Sequence, residues 1–202
     1  AGSVEPRKDG SFTVTYSAEG TARYAASLPS EIRLLAIFDG RQDERQMDEW
    51  TTPQFEALAR AVAEKLLADP HADGVQVDIE PFRPAHIPFY AELGRLLRER
   101  GKISTGFIGV NWPEDVVRRM YQALDVIVLS GYDLEQPTRE AYGAHLAKAI
   151  ERHHRIALEV GGRTMVGVPA AGSWGEHEYT GVMMFPFGGS PLKFPLSRNP
   201  AG

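Results

Sequence analysis

The chain contains no cysteine among its 202 residues, which excludes disulfide bonds, thiolate catalysis and cysteine-ligated zinc. It has no apolar run of the roughly 18–20 residues that a transmembrane helix needs, so we expect no membrane span. It also lacks a basic excess, because 22 Lys and Arg stand against 27 Asp and Glu, for a formal net charge of −5. Phosphate binding depends on clustered Lys and Arg, so we expect no nucleic-acid partner.

The composition that remains is that of an ordinary globular protein. Hydrophobic residues make up 43% and charged residues 24% of the chain, which excludes a disordered tail, a coiled coil and a collagen-like chain. The length predicts a single domain over residues 1–202. Within it, residues 1–30 are only weakly patterned, and the Pro- and Gly-rich residues 188–202 are expected to form an irregular C-terminal tail.

Strand and helix patterns alternate along the middle of the chain. Helical spacing of apolar residues predicts four helices, at 53–68, 88–100, 114–124 and 138–160. Short apolar runs and strict alternation predict about seven strands, at 12–16, 33–38, 74–80, 103–108, 126–130, 164–168 and 181–185.

Repeated strand–helix pairs imply parallel strands joined by right-handed crossovers. A closed (β/α) barrel and an open doubly wound sheet both fit this order. No glycine-rich phosphate turn follows the first strands, which disfavours a dinucleotide-binding sheet. Because a full eight-stranded barrel takes roughly 250 residues, we predict an α/β fold with an incomplete or compact (β/α) barrel of TIM type.

The strand at 74–80 carries an unusual polar face. At period two, Gln76, Asp78 and Glu80 point to one side and the intervening apolar residues to the other. In a barrel this face rises toward the carboxyl-terminal mouth, where active sites lie. The two carboxylates stand about 6.6 Å apart at their Cα atoms, and their repulsion would raise the pKa of one, as a general acid requires. The alternative is an antiparallel edge strand whose polar face meets water.

At this strand the sequence resembles a known family. The segment DGVQVDIEP (residues 73–81) is similar to the DxxDxDxE motif of family 18 glycoside hydrolases, the chitinases and endo-β-N-acetylglucosaminidases, on the fourth strand of their (β/α)8 barrel. The resemblance continues in the family's order over roughly residues 53–187. GKISTGFIG is similar to the fifth strand, LDVIVLSGYDL to the sixth, TMVGVPAAG to the seventh and GVMMF to the eighth.

The resemblance implies roles for individual residues. Glu80 matches the family's general acid, and Asp78 the aspartate that holds the substrate's 2-acetamido group. Tyr132 matches the tyrosine that hydrogen-bonds the same group, with Asp133 beside it. The implied substrate is an oligo- or polysaccharide containing N-acetylglucosamine. Its N-acetyl oxygen attacks the anomeric carbon, and no cofactor is needed.

Two positions depart from the family pattern. Gln76 stands where the family usually has aspartate, and an amide can hydrogen-bond Asp78 but cannot share a proton with it. The eighth strand of the family typically ends in a tryptophan that forms the floor for a sugar ring. The matching residue here is Phe185 or Phe187, whose ring can still stack, with less area.

Other residues near the predicted mouth are candidates for substrate contact. Asn111 and Trp112 follow the strand at 103–108 and are our first choices, while Trp174 and Tyr179 are either groove residues or buried loop anchors. The charged run of Asp39, Arg41, Asp43, Glu44 and Arg45 is either solvated or near substrate.

The six histidines form no recognisable ligand set, and we predict no catalytic metal. His153 and His154 are expected to face different ways on one helix. His86 follows the motif strand and is either within reach of the site or, as we expect, at the surface.

The sequence therefore favours hydrolysis of β-linked N-acetylglucosamine glycans. A catalytically inactive barrel that binds carbohydrate or another ligand is the second candidate, because Gln76 and the missing tryptophan are typical of degraded catalysis. A third is a glycosidase for sugars without an N-acetyl group, with Asp78 as nucleophile or base. The oligomeric state stays open. The start AGSVEP shows no signal segment, so the compartment also stays open, although a glycan-degrading enzyme would be secreted or periplasmic.

Overall fold

A computed structural model describes residues 1–41, 46–131, 138–169 and 182–187, with the side chains of 41, 168–169 and 182–187 left out. The strands in this part are β1 (Gly2–Pro6), β2 (Phe12–Tyr16), β3 (Leu35–Arg41), β4 (Gly74–Glu80), β5 (Ile103–Gly109), β6 (Val126–Ser130), β7 (Thr164–Pro169) and β8 (Val182–Phe187). The helices are α1 (Ala18–Ala25), α2 (Thr52–Leu67), α3 (Ile87–Arg98), α4 (Glu114–Ala123) and α5 (Arg139–Val160), with a 3-10 turn at Pro84–His86 before α3. No helix in these ranges has the length and apolar content that crossing a bilayer demands.

The strands form a single sheet in the order β2-β1-β3-β4-β5-β6-β7-β8. Neighbours from β1 through β7 along this order are parallel, whereas β2 pairs antiparallel with β1 and β8 pairs antiparallel with β7. The prediction of an α/β fold with a mostly parallel sheet is confirmed. In the described residues the sheet is open, with β2 and β8 at its two ends. The edge-strand alternative for β4 is wrong, because β4 lies between two parallel neighbours.

Two elements near the N-terminus and one strand direction differ from the sequence prediction. The segment GSVEP forms β1, and residues 18–25 form α1, whose first turn is capped by the Ser17 hydroxyl accepting from the Gly20 N–H at 3.1 Å. Five residues that include a proline are too short for a periodic pattern, which is why β1 was missed. The antiparallel β8 breaks the predicted series of parallel strands.

The two faces of the sheet have different neighbours. On β4, Val75, Val77 and Ile79 are buried in the same apolar cluster as the inward stripes of α2 and α3. The opposite face carries a smaller apolar cluster of Val126, Val128 and Met165, with Ile103 and Phe107 packed against it. This second cluster lies on the same face as Gln76, Asp78 and Glu80 by strand register, which is the interior face of a (β/α) barrel.

The contact between α3 and α4 depends on a glycine. A Cβ added at Gly94 would lie 2.0 Å from the main-chain oxygen of Ala123. We therefore expect Gly94→Ala to lower the free energy of unfolding by about 1–3 kcal/mol, because overpacking against backbone outweighs the gain of about 1 kcal/mol in helix propensity. Denaturant unfolding measures the change. Gly143→Ala on α5 is the matched control: its Cβ meets nothing within 4 Å, and it should stabilise the protein. Equal stabilisation by both variants would contradict the packing argument.

Candidate active site

The polar face predicted for β4 is present at the carboxyl end of the strand. Along it Gln76 is buried, Asp78 is half-buried and Glu80 is exposed, so the face passes from the sheet interior to solvent within five residues. Asp39 on β3 stands in register with Asp78, and Arg41 with Glu80. A third carboxylate, at the exposed position 39, therefore adjoins Asp78 on the motif strand.

Gln76 is held by residues of its own strand and of β5. Its side-chain carbonyl is within hydrogen-bond distance of the Thr105 hydroxyl, which also lies 3.0 Å from the main-chain oxygen of Val75. Its amide nitrogen lies 3.4 Å from the main-chain oxygen of Val77. An amide suits this buried place because it is satisfied without charge, whereas an aspartate would add a buried negative charge beside Asp78. Thr105 was not predicted from the sequence.

Tyr90 on α3 is a second residue that sequence reasoning missed. Its side chain is buried, and its ring contacts those of Phe82 and Phe89 at centroid distances of 5.8 and 5.1 Å. Burial raises the pKa of Tyr90, and the negative charges of Asp78 and Glu80 raise it further. Tyr90 is therefore a neutral hydroxyl within electrostatic reach of both carboxylates. In the sequence it is one of several apolar-face residues of a helix, with nothing to set it apart.

The sheet opens beside Glu80. The register between β4 and β5 ends at Val77 and Gly106, three residues before Glu80. Beyond this point an aromatic pair is present: Phe82, which follows the cis Glu80–Pro81 peptide, stacks on Trp112 with ring centroids 3.9 Å apart and planes at 20°. A half-buried indole at the strand ends is placed where it can both anchor its loop and offer an edge to a ligand.

The loop after β5 is held by α5. The Arg152 guanidinium donates to the main-chain oxygens of Trp112 at 2.6 Å and Val110 at 3.3 Å. The exposed Asn111 side chain lies with its Oδ1 3.1 Å from Nε2 of His145. Because β4 and β5 are parallel, Asn111 and Trp112 lie at the same edge of the sheet as Glu80, as expected, and their contact with substrate stays a prediction.

The expectation that His86 lies at the surface is wrong. Its side chain is 1% exposed, because the 3-10 turn at Pro84–His86 folds the imidazole back toward Phe55 and Phe82. On α5, His153 is fully buried and His154 half-buried, so the two do face different surroundings. In the part of the chain that the structure describes, no three His, Asp or Glu side chains converge as a metal site would require.

Several predicted site residues lie outside the described residues or are placed by backbone alone. Phe185 and Phe187 belong to β8, where only the strand is described. The residues outside the described ranges are Asp43, Glu44, Arg45, Tyr132, Asp133, Trp174 and Tyr179.

Comparison with known proteins finds similarity at the level of structure. No protein-family model matches the chain, and no curated protein matches it in sequence. The family 18 chitinase ChiB of Flavobacterium johnsoniae is similar in fold, with a TM-score of 0.54 and 19% identity over 75% of this chain and 54% of that one. The spore cortex-lytic enzyme SleL of Bacillus megaterium is similar with a TM-score of 0.50 and 13% identity, over 90% of this chain and 47% of that one.

The chain thus spans about half the length of these two solved structures. At such low identity the likeness shows the fold alone, which is an α/β fold of the kind found in a family 18 chitinase.

Proposed function

We propose that the protein is a glycoside hydrolase that cleaves β-linked, N-acetylglucosamine-containing glycans. The observation that carries the proposal is the polar face of β4, on which Asp78 and Glu80 lie at the carboxyl end of a parallel strand, beyond the last residue that pairs with β5. Catalytic groups of (β/α) barrels lie at this end. The fold that the chain shares with a family 18 chitinase supports the same substrate class.

In this proposal Glu80 is the general acid. It protonates the leaving glycosidic oxygen while the substrate's own N-acetyl oxygen attacks the anomeric carbon and forms an oxazolinium-type intermediate. Water then opens the intermediate, and the Glu80 carboxylate takes the proton that water gives up. Asp78 orients the acetamido group, and Tyr132 hydrogen-bonds it. No enzyme nucleophile takes part, so the substrate must carry the acetamido group.

The second candidate is a barrel that binds carbohydrate without turnover. The buried, neutral Gln76 favours it, because an amide bonded to Thr105 supplies no charge or proton with which to tune Asp78. In either case the half-buried Phe82–Trp112 pair supplies aromatic surface for contact with a sugar ring. Binding that survives without turnover, and weakens in Trp112→Ala, is the expected result for this candidate.

A product assay separates the candidates. The parent protein and Glu80→Gln are incubated with a mixture of N-acetylchito-oligosaccharides and acetamido-free β-glucans, and products are read by mass spectrometry. Shortened N-acetylated products that disappear with Glu80→Gln are expected. Intact substrates with a folded parent protein would overturn the proposal in favour of binding. Cleavage of acetamido-free glucans would favour the third candidate, with Asp78 as nucleophile or base.

A further inference from the structure

The segment that links Glu80 to α3 is a structural part of the proposed site. We call residues 81–86 the post-strand segment. It begins at the cis Glu80–Pro81 peptide and ends in the 3-10 turn that enters α3. Phe82 within it supplies one half of the Phe82–Trp112 stack. The position of this segment therefore sets both the exit of Glu80 from β4 and the aromatic pair beside it.

His86 contacts two other residues of the post-strand segment. Its Nδ1 accepts a hydrogen bond from the Arg83 N–H at 3.2 Å. Its ring lies 5.9 Å from that of Phe82, at 78°, and 5.6 Å from that of Phe55 on α2. A side chain that is 1% exposed thus ties the segment's backbone and its aromatic residue to a helix of the core.

These contacts require one chemical form of the imidazole. A nitrogen that accepts a hydrogen bond carries no proton, so His86 is neutral with its proton on Nε2. That nitrogen is buried with no hydrogen-bond partner, in surroundings lined by Met47, Leu58 and Ile79. A second proton would remove the acceptor at Nδ1 and place a charge in an apolar environment.

The charged and titratable groups that face His86 do not offset this cost. Asp48 favours the charged imidazole and Arg83 opposes it, and these two side chains are paired with each other at 3.2 Å. Tyr90 lines the same apolar surroundings and is neutral. Burial dominates and lowers the pKa of His86 to about 4.

We propose that neutral His86 is a positioning residue, which holds the post-strand segment and the Phe82–Trp112 pair beside Glu80 and releases them when it is protonated. Its effect on sugar binding rests on the proposed function. The positioning itself does not, and it is measured without substrate.

The substrate-free test uses the parent protein and two variants. His86→Asn places an amide oxygen near the position of Nδ1 and cannot titrate, while His86→Phe keeps a ring and loses the acceptor. We expect ¹⁵N NMR to show the Nε2–H tautomer for His86 at pH 7. We also expect the Arg83 amide to exchange at least about tenfold faster in His86→Phe than in the parent protein or in His86→Asn. An Nδ1–H tautomer, or equal Arg83 protection in His86→Phe, would overturn the proposal.

The second test uses N-acetylchito-oligosaccharides. We expect His86→Phe to raise KM about tenfold with a smaller change in kcat, and His86→Asn to restore it. Affinity in the parent protein should fall only as the pH approaches 4, where folded His86 takes up a proton, and this loss should be smaller in His86→Asn. An active parent protein whose KM and pH profile are unchanged in His86→Phe would refute the inference. A parent protein that neither binds nor cleaves these sugars would refute the proposed function, and the tautomer and amide exchange would still decide the role of His86.

Discussion

Replacing Glu80 by glutamine is expected to lower kcat for N-acetylchito-oligosaccharides by about 10²–10⁴-fold, which is the usual contribution of a positioned general acid. This corresponds to about 3–5 kcal/mol of transition-state stabilisation. Glutamine keeps the shape and hydrogen-bonding reach of the side chain and removes only the proton that the leaving oxygen needs. Because Glu80 is exposed, the substitution should leave the free energy of unfolding within about 0.5 kcal/mol of the parent protein.

Single-turnover rates with an oligosaccharide of defined length measure this effect. Glu64→Gln is the matched control, since Glu64 is an exposed glutamate on α2, and it should leave kcat unchanged. KM should change little in Glu80→Gln, because the lost proton acts in the transition state rather than in the bound substrate. A Glu80→Gln protein that retains more than about a tenth of the parent kcat would assign the acid to another residue.

Asp78→Asn tests a different step of the same mechanism. If Asp78 orients the acetamido group, the amide should reduce kcat on N-acetylated substrates while leaving acetamido-free glucans uncleaved, as in the parent protein. If Asp78 is a nucleophile, the variant should instead abolish cleavage of acetamido-free glucans that the parent protein accepts. Loss of cleavage of N-acetylated substrates therefore indicates the orienting role of Asp78, and loss of cleavage of acetamido-free glucans indicates the nucleophile.

Elements with a strong internal pattern could be predicted from the sequence. The bounds of β4 and β6 are as predicted, because β4 alternates strictly and β6 is a short apolar run. The long helix α5 ends at Val160, as its stripe and the following Gly161 indicate, and Gly161 adopts a positive φ of 74°. Alternation along β4 was enough to place Asp78 and Glu80 on one face.

Contacts between elements could not be predicted in this way. Gln76 forms a hydrogen bond with Thr105 on the next strand. Tyr90 lies on a helix, and the charge of Asp78 on β4 raises its pKa. The burial of His86 depends on Phe55, which lies on α2. Periodicity assigns a side chain to a face of its own element, but the partner on that face is decided by how the elements pack. The missed residues are therefore those whose role arises between elements.

Acidification is expected to destabilise the protein through its two buried histidines. Burial lowers the pKa of His86 and of His153 to about 4, and the adjacent Arg152 charge contributes for His153. The unfolded chain has the ordinary histidine pKa of about 6.5, so it takes up protons first as the pH falls. The free energy of unfolding should therefore decrease from about pH 6.5 toward pH 4, and by about 2 kcal/mol for each histidine between pH 7.5 and pH 5.

Denaturant unfolding at half-unit pH steps measures this slope of the free energy of unfolding against pH. His86→Asn and His153→Gln should each remove about half of it, and the double variant nearly all, because the two residues lie in separate parts of the fold and their effects should add. Ile156→Val is the control: Ile156 is fully buried on the same helix as His153, and losing a methylene there should lower stability by about 1 kcal/mol at every pH. A parent slope that neither histidine variant reduces would show that other groups bind the protons. If the histidine variants instead lower the free energy of unfolding by the same amount at every pH, as Ile156→Val does, their side chains act through packing alone.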